Sequence, residues 1–305
     1  MGSLVSTTYN SRDWALNEQL THNAGVFAAF KNHQEQKELM SLLVDEEGKI
    51  RSFSKFKQAA GPIAEQYNKN WLTTEYNQAL SSAEMAKKWN GFKEDSDLYP
   101  NLEYVAVMDT QTRSGHAALH GTVRPINDPF WDTHYPPIDW GCRCDVVQTD
   151  KAATSASDAV KPGKGFEANP GKSGKLFSDT AGYYNVPVTE AKQVRGMADE
   201  LIRSTMIRQA TTELKHRFVR SGNLKVGFTK AGIERTAKIN AANNSSKALA
   251  LLHNSDNIQK LIKIGNHNVT GNIHTWTGTD AGINFVIKAI ESAEGNVVFE
   301  SIKID

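Results

Sequence analysis

His116–Cys144 reads HAALHGTVRPINDPFWDTHYPPIDWGCRC, and it holds three of the chain's nine histidines, four of its nine prolines, two of its six tryptophans and both cysteines. So much rigid and reactive material in one segment points to a docked framework, not a mobile connection. Pro125, Pro129, Pro136 and Pro137 fix their own φ and restrict the residues before them, which lowers the entropy lost on docking. Phe130, Trp131, Tyr135 and Trp140 supply the apolar area to pin the segment against helices. Its flanks, LEYVAVMDT (Leu102–Thr110) and CRCDVVQT (Cys142–Thr149), read as strands. A connection of about thirty residues between strands exceeds the usual unstructured loop and must be held by contacts of its own.

The same segment offers metal ligands. His116 and His120 lie four apart, on one face if the segment is helical, and Cys142 and Cys144 reach one ion from an extended chain. Two nitrogens and two thiolates suit tetrahedral zinc, so His116, His120, Cys142 and Cys144 are the candidate metal set and structural zinc the one candidate cofactor. Against it, structural zinc cysteines usually have two to four residues between them, and Cys142 and Cys144 have one. In the other reading His116 is a hydrogen-bonded anchor, both cysteines are small buried fillers, and Arg143 makes the specific contact. Both readings stay open at this stage.

Working toward the N-terminus, VFAAFKNHQEQKELMSLL and FKQAAGPIAEQYNKNWLTTEYNQALSSAEMAKKW carry apolar residues at helical spacing, with DEEGK as the turn between them. Trp71, Tyr76, Leu80, Met85 and Trp89 form the expected apolar stripe, and Gly91 the stop. Helices followed by a small sheet give an α+β class.

NWLTTEYNQALSSAEMAKKW followed by Leu102–Val147 closely resembles the phage Mu F-like head-morphogenesis domain of minor capsid proteins in tailed phages and prophages. The resemblance covers Asn70–Gln148 and rests on the ordered series Thr74-Glu75, Trp89, His116, Pro129, Trp131, Pro136-Pro137, Cys142, Arg143 and Cys144. Members usually carry an acidic residue where this chain has His120, which weakens the four-ligand zinc set. The resemblance implies a virion protein in few copies, with portal and capsid proteins as partners, found in the phage head and the bacterial host cytoplasm. It implies no catalysis by this domain.

The chain has 305 residues, enough for two compact units. No run of apolar residues is long enough for a membrane helix, and the N-terminal stretch lacks the basic and apolar regions of a secretory signal. Two cysteines with a single residue between them make no disulfide framework, which fits a reducing compartment. The net charge of +1 conceals an asymmetry: residues 1–150 hold 14 basic and 20 acidic side chains, residues 151–305 hold 21 and 14. The expected organisation is a head domain over 1–150, a Gly/Pro/Lys linker over 151–185, and a basic α+β domain over 186–305. FEANPGKS within the linker mimics a phosphate-binding loop, but Phe166 stands where the first glycine belongs and neither flank supplies the strand and helix of that motif.

In the C-terminal part a helix is expected from Thr189 to Arg220, ended by Ser221-Gly222, then a short strand LKVGF, a helix capped by Thr229, further helical turns to Gly265, and strands NIHTWT, INFVIKAI and NVVFESIKI. That makes helices with a four-stranded antiparallel sheet. The element order weakly resembles the barnase, EndoU, colicin and RelE nuclease group, which implies a metal-independent ribonuclease or toxin. Such cleavage needs a base, an acid and a cation; His274, His253, Lys288 and Ser301 are the candidates. Ten basic and two acidic residues between Arg203 and Lys247 would draw a polyanion, with Arg217, Arg220, Lys225, Lys230 and Arg235 as nucleic-acid contacts and Trp276 as a base-stacking platform. The alternative is a purely structural virion protein whose C-terminal domain binds nucleic acid or a portal or capsid partner without catalysis.

Overall fold

The computed structural model describes residues 14–154, 160–240, 242–280 and 282–305. By its contacts the chain divides into two compact units, Gln19–Ala198 and Asp199–Asp305, the latter with residues 14–18. The class is α+β. No helix among the described residues is long and apolar enough to cross a membrane.

The first unit contains most of α1 (Trp14–Ser41), then α2 (Phe53–Glu65), a π-helical turn Gln66–Asn70, and α3 (Trp71–Glu94). The DEEGK turn is where expected, closed by a bridge between Val44 and Ile50. A three-stranded antiparallel sheet follows in the order β2-β1-β3, from β1 (Asn101–Val105), β2 (Val123–Pro125) and β3 (Asp145–Thr149), with one-turn helices α4 (Ser114–Ala118) and α5 (Phe130–Thr133) in the connection. The expected stripe on α3 is corrected in its first half. Trp71 and Tyr76 are exposed, while Glu75, Gln78 and Ser82 are buried ahead of Met85 and Trp89. Glu75 is tolerated inside because Lys31 and the Tyr183 hydroxyl, at 2.5 and 2.7 Å, satisfy its carboxylate.

The framework segment packs as its composition predicts. Phe130, Trp131 and Tyr135 are buried in one core with Met85, Trp89, Leu102, Tyr104 and Val146. Tyr135 donates its hydroxyl hydrogen to the Met85 carbonyl at 2.9 Å, and its ring meets Trp89 edge-on at 5.1 Å. Trp140 stays partly exposed and meets Phe166 edge-on at 5.1 Å.

The described residues of the expected linker, by contrast, are packed structure of the first unit. Phe166, Leu176 and Phe177 are buried, and Phe177 stacks on Phe27 at 3.6 Å. Asn169 caps the short helix α6 (Pro170–Ser173), accepting from Gly171 N–H, and donates to the Trp131 carbonyl. Asn23 of α1 accepts from the Leu176 and Phe177 amides. Small and Gly/Pro residues here serve close approach: a Cβ on Gly171 would overlap Trp89.

The second unit begins within α7 (Val188–Leu214). That helix stops six residues before the expected Arg220, and His216 takes a left-handed φ of 62°. The chain then folds back as a hairpin of β4 (Phe218–Ser221) and β5 (Leu224–Gly227), turned through Gly222 at φ 57°. Helices α8 (Lys230–Ile239), α9 (Ala242–Leu251) and α10 (Ser255–Ile264) come next, with Thr229 capping α8 through the Gly232 amide at 3.1 Å. The chain closes on β6 (Asn266–Thr270), β7 (Ile273–Asp280), β8 (Ile283–Glu291) and β9 (Val297–Ile304).

The sheet therefore has six strands where four were expected, ordered β4-β5-β9-β8-β7-β6, and it is mixed because β5 pairs with β9 in parallel. Beyond that short pairing, α8 covers the free edge of β9. Thr236 Oγ1 accepts from the Ile302 amide, and Asn240 accepts from the Ile304 amide while donating to the Ile302 carbonyl. Gly232 lets α8 approach so closely that a Cβ there would overlap the Phe299 carbonyl oxygen. The sheet also curls: Trp276 on β7 donates its indole N–H to Ser221 Oγ on β4 at 3.1 Å, although three strands separate them in the sheet order.

Candidate functional site

In the first unit the structure brings three of the four expected metal ligands together. The ligand atoms of His116, Cys142 and Cys144 all lie within 4.8 Å of one another. His116 Nδ1 is 3.6 Å from the Cys142 sulfur and 3.5 Å from the Cys144 sulfur. His120 is not in the group. Helix α4 ends at Ala118 after little more than a turn, so His120 falls beyond it, is exposed, and instead accepts from the Ala106 amide through Nδ1. The fully buried Tyr104 hydroxyl has no hydrogen-bond partner of good geometry and adjoins both thiols, and burial pushes its ionisation far up. Cys142 is pulled down to about 5, chiefly by the hydrogen bond from Cys144, whose own thiol is pushed well up by sharing that proton. Arg143 turns outward and forks onto Asp109 at 2.7 and 2.6 Å, holding that carboxyl well below the usual range.

In the second unit the expected catalytic residues do not converge. His274 and Lys288 lie on opposite faces of the sheet: His274 sits opposite Ala289 on the buried face, whereas Lys288 pairs with Thr275 and Ser301 on the other. Ser301 is buried. His253 follows α9 and bonds the Met206 backbone; burial lowers its pKa, and its Nε2 is buried without a partner. Trp276 is fully buried, with one face covered by His267 at 4.6 Å and 5°, so it is no platform for a base.

A different group surrounds His274. Its Nε2 lies 3.2 Å from Glu291 Oε2, and its Nδ1 lies 3.2 Å from His267 Nε2. With the carboxylate accepting from His274 Nε2–H, His274 Nδ1 is the acceptor for His267 Nε2–H, which leaves the His267 Nδ1 lone pair free. Burial, followed by the neighbouring His274, lowers the His267 pKa, so this imidazole is neutral near pH 7. His267 lines a cavity of about 600 Å³ together with Arg220, Ser221, Gln259 and Lys263.

Sequence reasoning missed His267 and Glu291; the one signal bearing on His267 is a turn. The two-residue Gly271-Asn272 turn joins β6 to β7 and sets His267 opposite Trp276, diagonal to His274.

Of the expected nucleic-acid contacts, Arg220 and Lys225 are paired across the β4–β5 hairpin and both lie over the Phe218 ring, at 5.2 and 4.0 Å. Arg217 is exposed beside them in sequence. Lys230 and Arg235 belong to α8, where Glu234 and Glu300, at 3.5 and 2.7 Å, are their carboxylate partners. Gln259 pairs its amide with both backbone groups of Arg220, closing the sheet edge beside the cavity.

The first unit is thus a helical layer sealed by a rigid strap around a His-Cys-Cys cluster, and residues 23–147, which include the strap, match the family model described as Phage Mu protein F like protein. The chain is 48% identical over 75 residues to the putative capsid assembly protein F of Escherichia phage Mu, covering 25% of this chain and 17% of that protein. It is 48% identical over 63 residues to the Mu-like prophage FluMu F protein of Haemophilus influenzae, covering 21% and 15%. The aligned part spans less than a fifth of either curated relative. No solved structure matches. The family match ends at residue 147, ahead of the second unit, and the expected likeness to barnase-type nucleases has no support from these comparisons.

Proposed function

We propose that this chain is a capsid-assembly protein of a tailed phage or prophage whose second unit cleaves RNA. The assembly role is supported by the likeness of residues 23–147 to Mu F-like proteins, one of them named for capsid assembly. On this reading the partners are portal and capsid proteins, and the chain resides in the virion and the bacterial cytoplasm. Deleting its gene is expected to abolish filled, infectious heads; unchanged particle yield contradicts that role.

The observation that carries the cleavage reading is the Glu291–His274–His267 chain opening on a cavity that Arg220 and Lys263 also line. A neutral imidazole next to cations suits a substrate that brings its own nucleophile, and the RNA 2′-hydroxyl is one. His267 Nδ1 takes the 2′-hydroxyl proton, the 2′ oxygen bonds to phosphorus, and the bond to the 5′ oxygen breaks, that oxygen leaving with a proton from water. Arg220 and Lys263 offset the charge on the phosphorane.

Full-length protein is expected to cleave RNA, and His267→Ala to lose about 10²- to 10⁴-fold. The Arg220–Phe218–Lys225 patch favours a second reading, binding of nucleic acid without cleavage. RNA that is bound but left whole by the wild type selects that reading.

A further inference from the structure

A single imidazole nitrogen facing two sulfurs needs an explanation. Nδ1 of a neutral histidine carries one in-plane lone pair and accepts well from one donor only. Here His116 Nδ1 is nearly equidistant from Cys142 and Cys144 sulfurs, at 3.6 and 3.5 Å. An ion bonded to all three accounts for both spacings at once. Zinc–sulfur bonds of about 2.3 Å and a zinc–nitrogen bond of about 2.0–2.1 Å, set at a tetrahedral angle, separate nitrogen from sulfur by about 3.5–3.6 Å.

The surroundings suit the ion as well. His116 is buried and the cysteines are half-buried, so the site is sheltered. The buried Tyr104 hydroxyl, otherwise unpartnered, stands beside both sulfurs and can donate to a metal-bound thiolate, as outer-shell groups do. Two thiolates with an imidazole select a borderline-soft tetrahedral ion over magnesium or calcium.

We infer that His116, Cys142 and Cys144 hold one zinc ion, with water in the fourth position and no contribution from His120. The ion ties α4 to the C-terminal end of the strap where it enters β3, clamping the long connection between β1 and β3 at its base.

The test uses full-length protein freed of any histidine tag. After exhaustive dialysis against metal-free buffer, elemental analysis is expected to find about one zinc per chain. His120→Ala is expected to keep it and Cys144→Ser to lose it. Because Cys144→Ser can fail to fold, a second measurement uses the wild type alone: metal-stripped protein is given cobalt(II), and the visible bands of a tetrahedral site with sulfur-to-cobalt charge transfer are expected. Folded wild-type protein that holds no zinc and gives only the octahedral cobalt spectrum overturns the inference. So does loss of zinc in a folded His120→Ala chain.

Discussion

His267 stands 3.2 Å from His274 across the β6–β7 hairpin, and the contact gives the exposed imidazole a fixed tautomer. Glu291 anchors the chain from β8 by accepting from the far nitrogen of His274. Glu291→Gln keeps an acceptor but removes the charge that orients the pair. It is expected to lower RNA cleavage by about 10- to 100-fold with little change in RNA affinity. Unchanged turnover in that variant contradicts the anchoring role.

Acid should weaken the second unit through its histidines. Burial sets the pKa of His253, and of His267, below the ordinary histidine value. The unfolded chain therefore binds more protons just below about pH 6.5, so stability is full above that pH and falls as pH drops, levelling off beneath the folded-state pKa. Urea midpoints measured from pH 8 to 5 should decline, and His253→Gln should flatten the decline. A slope identical to the wild type's rules out His253 as a contributor.

The β4–β5 hairpin presents Arg220 and Lys225 around Phe218. If both cations meet phosphates, Arg220→Ala with Lys225→Ala should reduce the salt dependence of RNA binding. Each lost contact lowers the log–log slope by about 0.7 for a single strand. A slope unchanged in the double variant shows that the patch lies off the RNA path.

Gly232 sits where α8 meets the Phe299 carbonyl. Gly232→Ala must push the helix off β9, straining the Thr236 and Asn240 hydrogen bonds to that strand, and is expected to cost about 1–3 kcal/mol. Chemical denaturation of the full chain, with the second unit followed by hydrogen exchange of the α8 and β9 amides, reads that cost. A wild-type midpoint contradicts the close packing.

Much of this was legible from residues alone, and the misses have physical causes. Four prolines and a run of aromatics announced a docked strap, and Trp131 and Tyr135 are indeed fully buried. The helix cap at Thr229 followed from its side chain and position. His120 was misplaced because i, i+4 spacing aligns side chains only while a helix lasts, and α4 does not reach it. Strand β6 escaped notice because NHNVT is exposed along its whole length and shows no alternation to read. His267 was lost with it. The apparent linker hid Phe166, Leu176 and Phe177 among small residues whose composition says flexible but whose neighbours demand close contact.

The central claim, that a histidine pair in the second unit uses RNA's own 2′-hydroxyl, is tested most directly by the chemistry of the product ends. Full-length protein incubated with RNA should yield 2′,3′-cyclic phosphate termini, and an RNA carrying 2′-deoxy residues throughout should remain whole. Cleavage of the deoxy substrate at a comparable rate, or RNA cleavage that survives in His267→Ala and His274→Ala alike, would contradict the account.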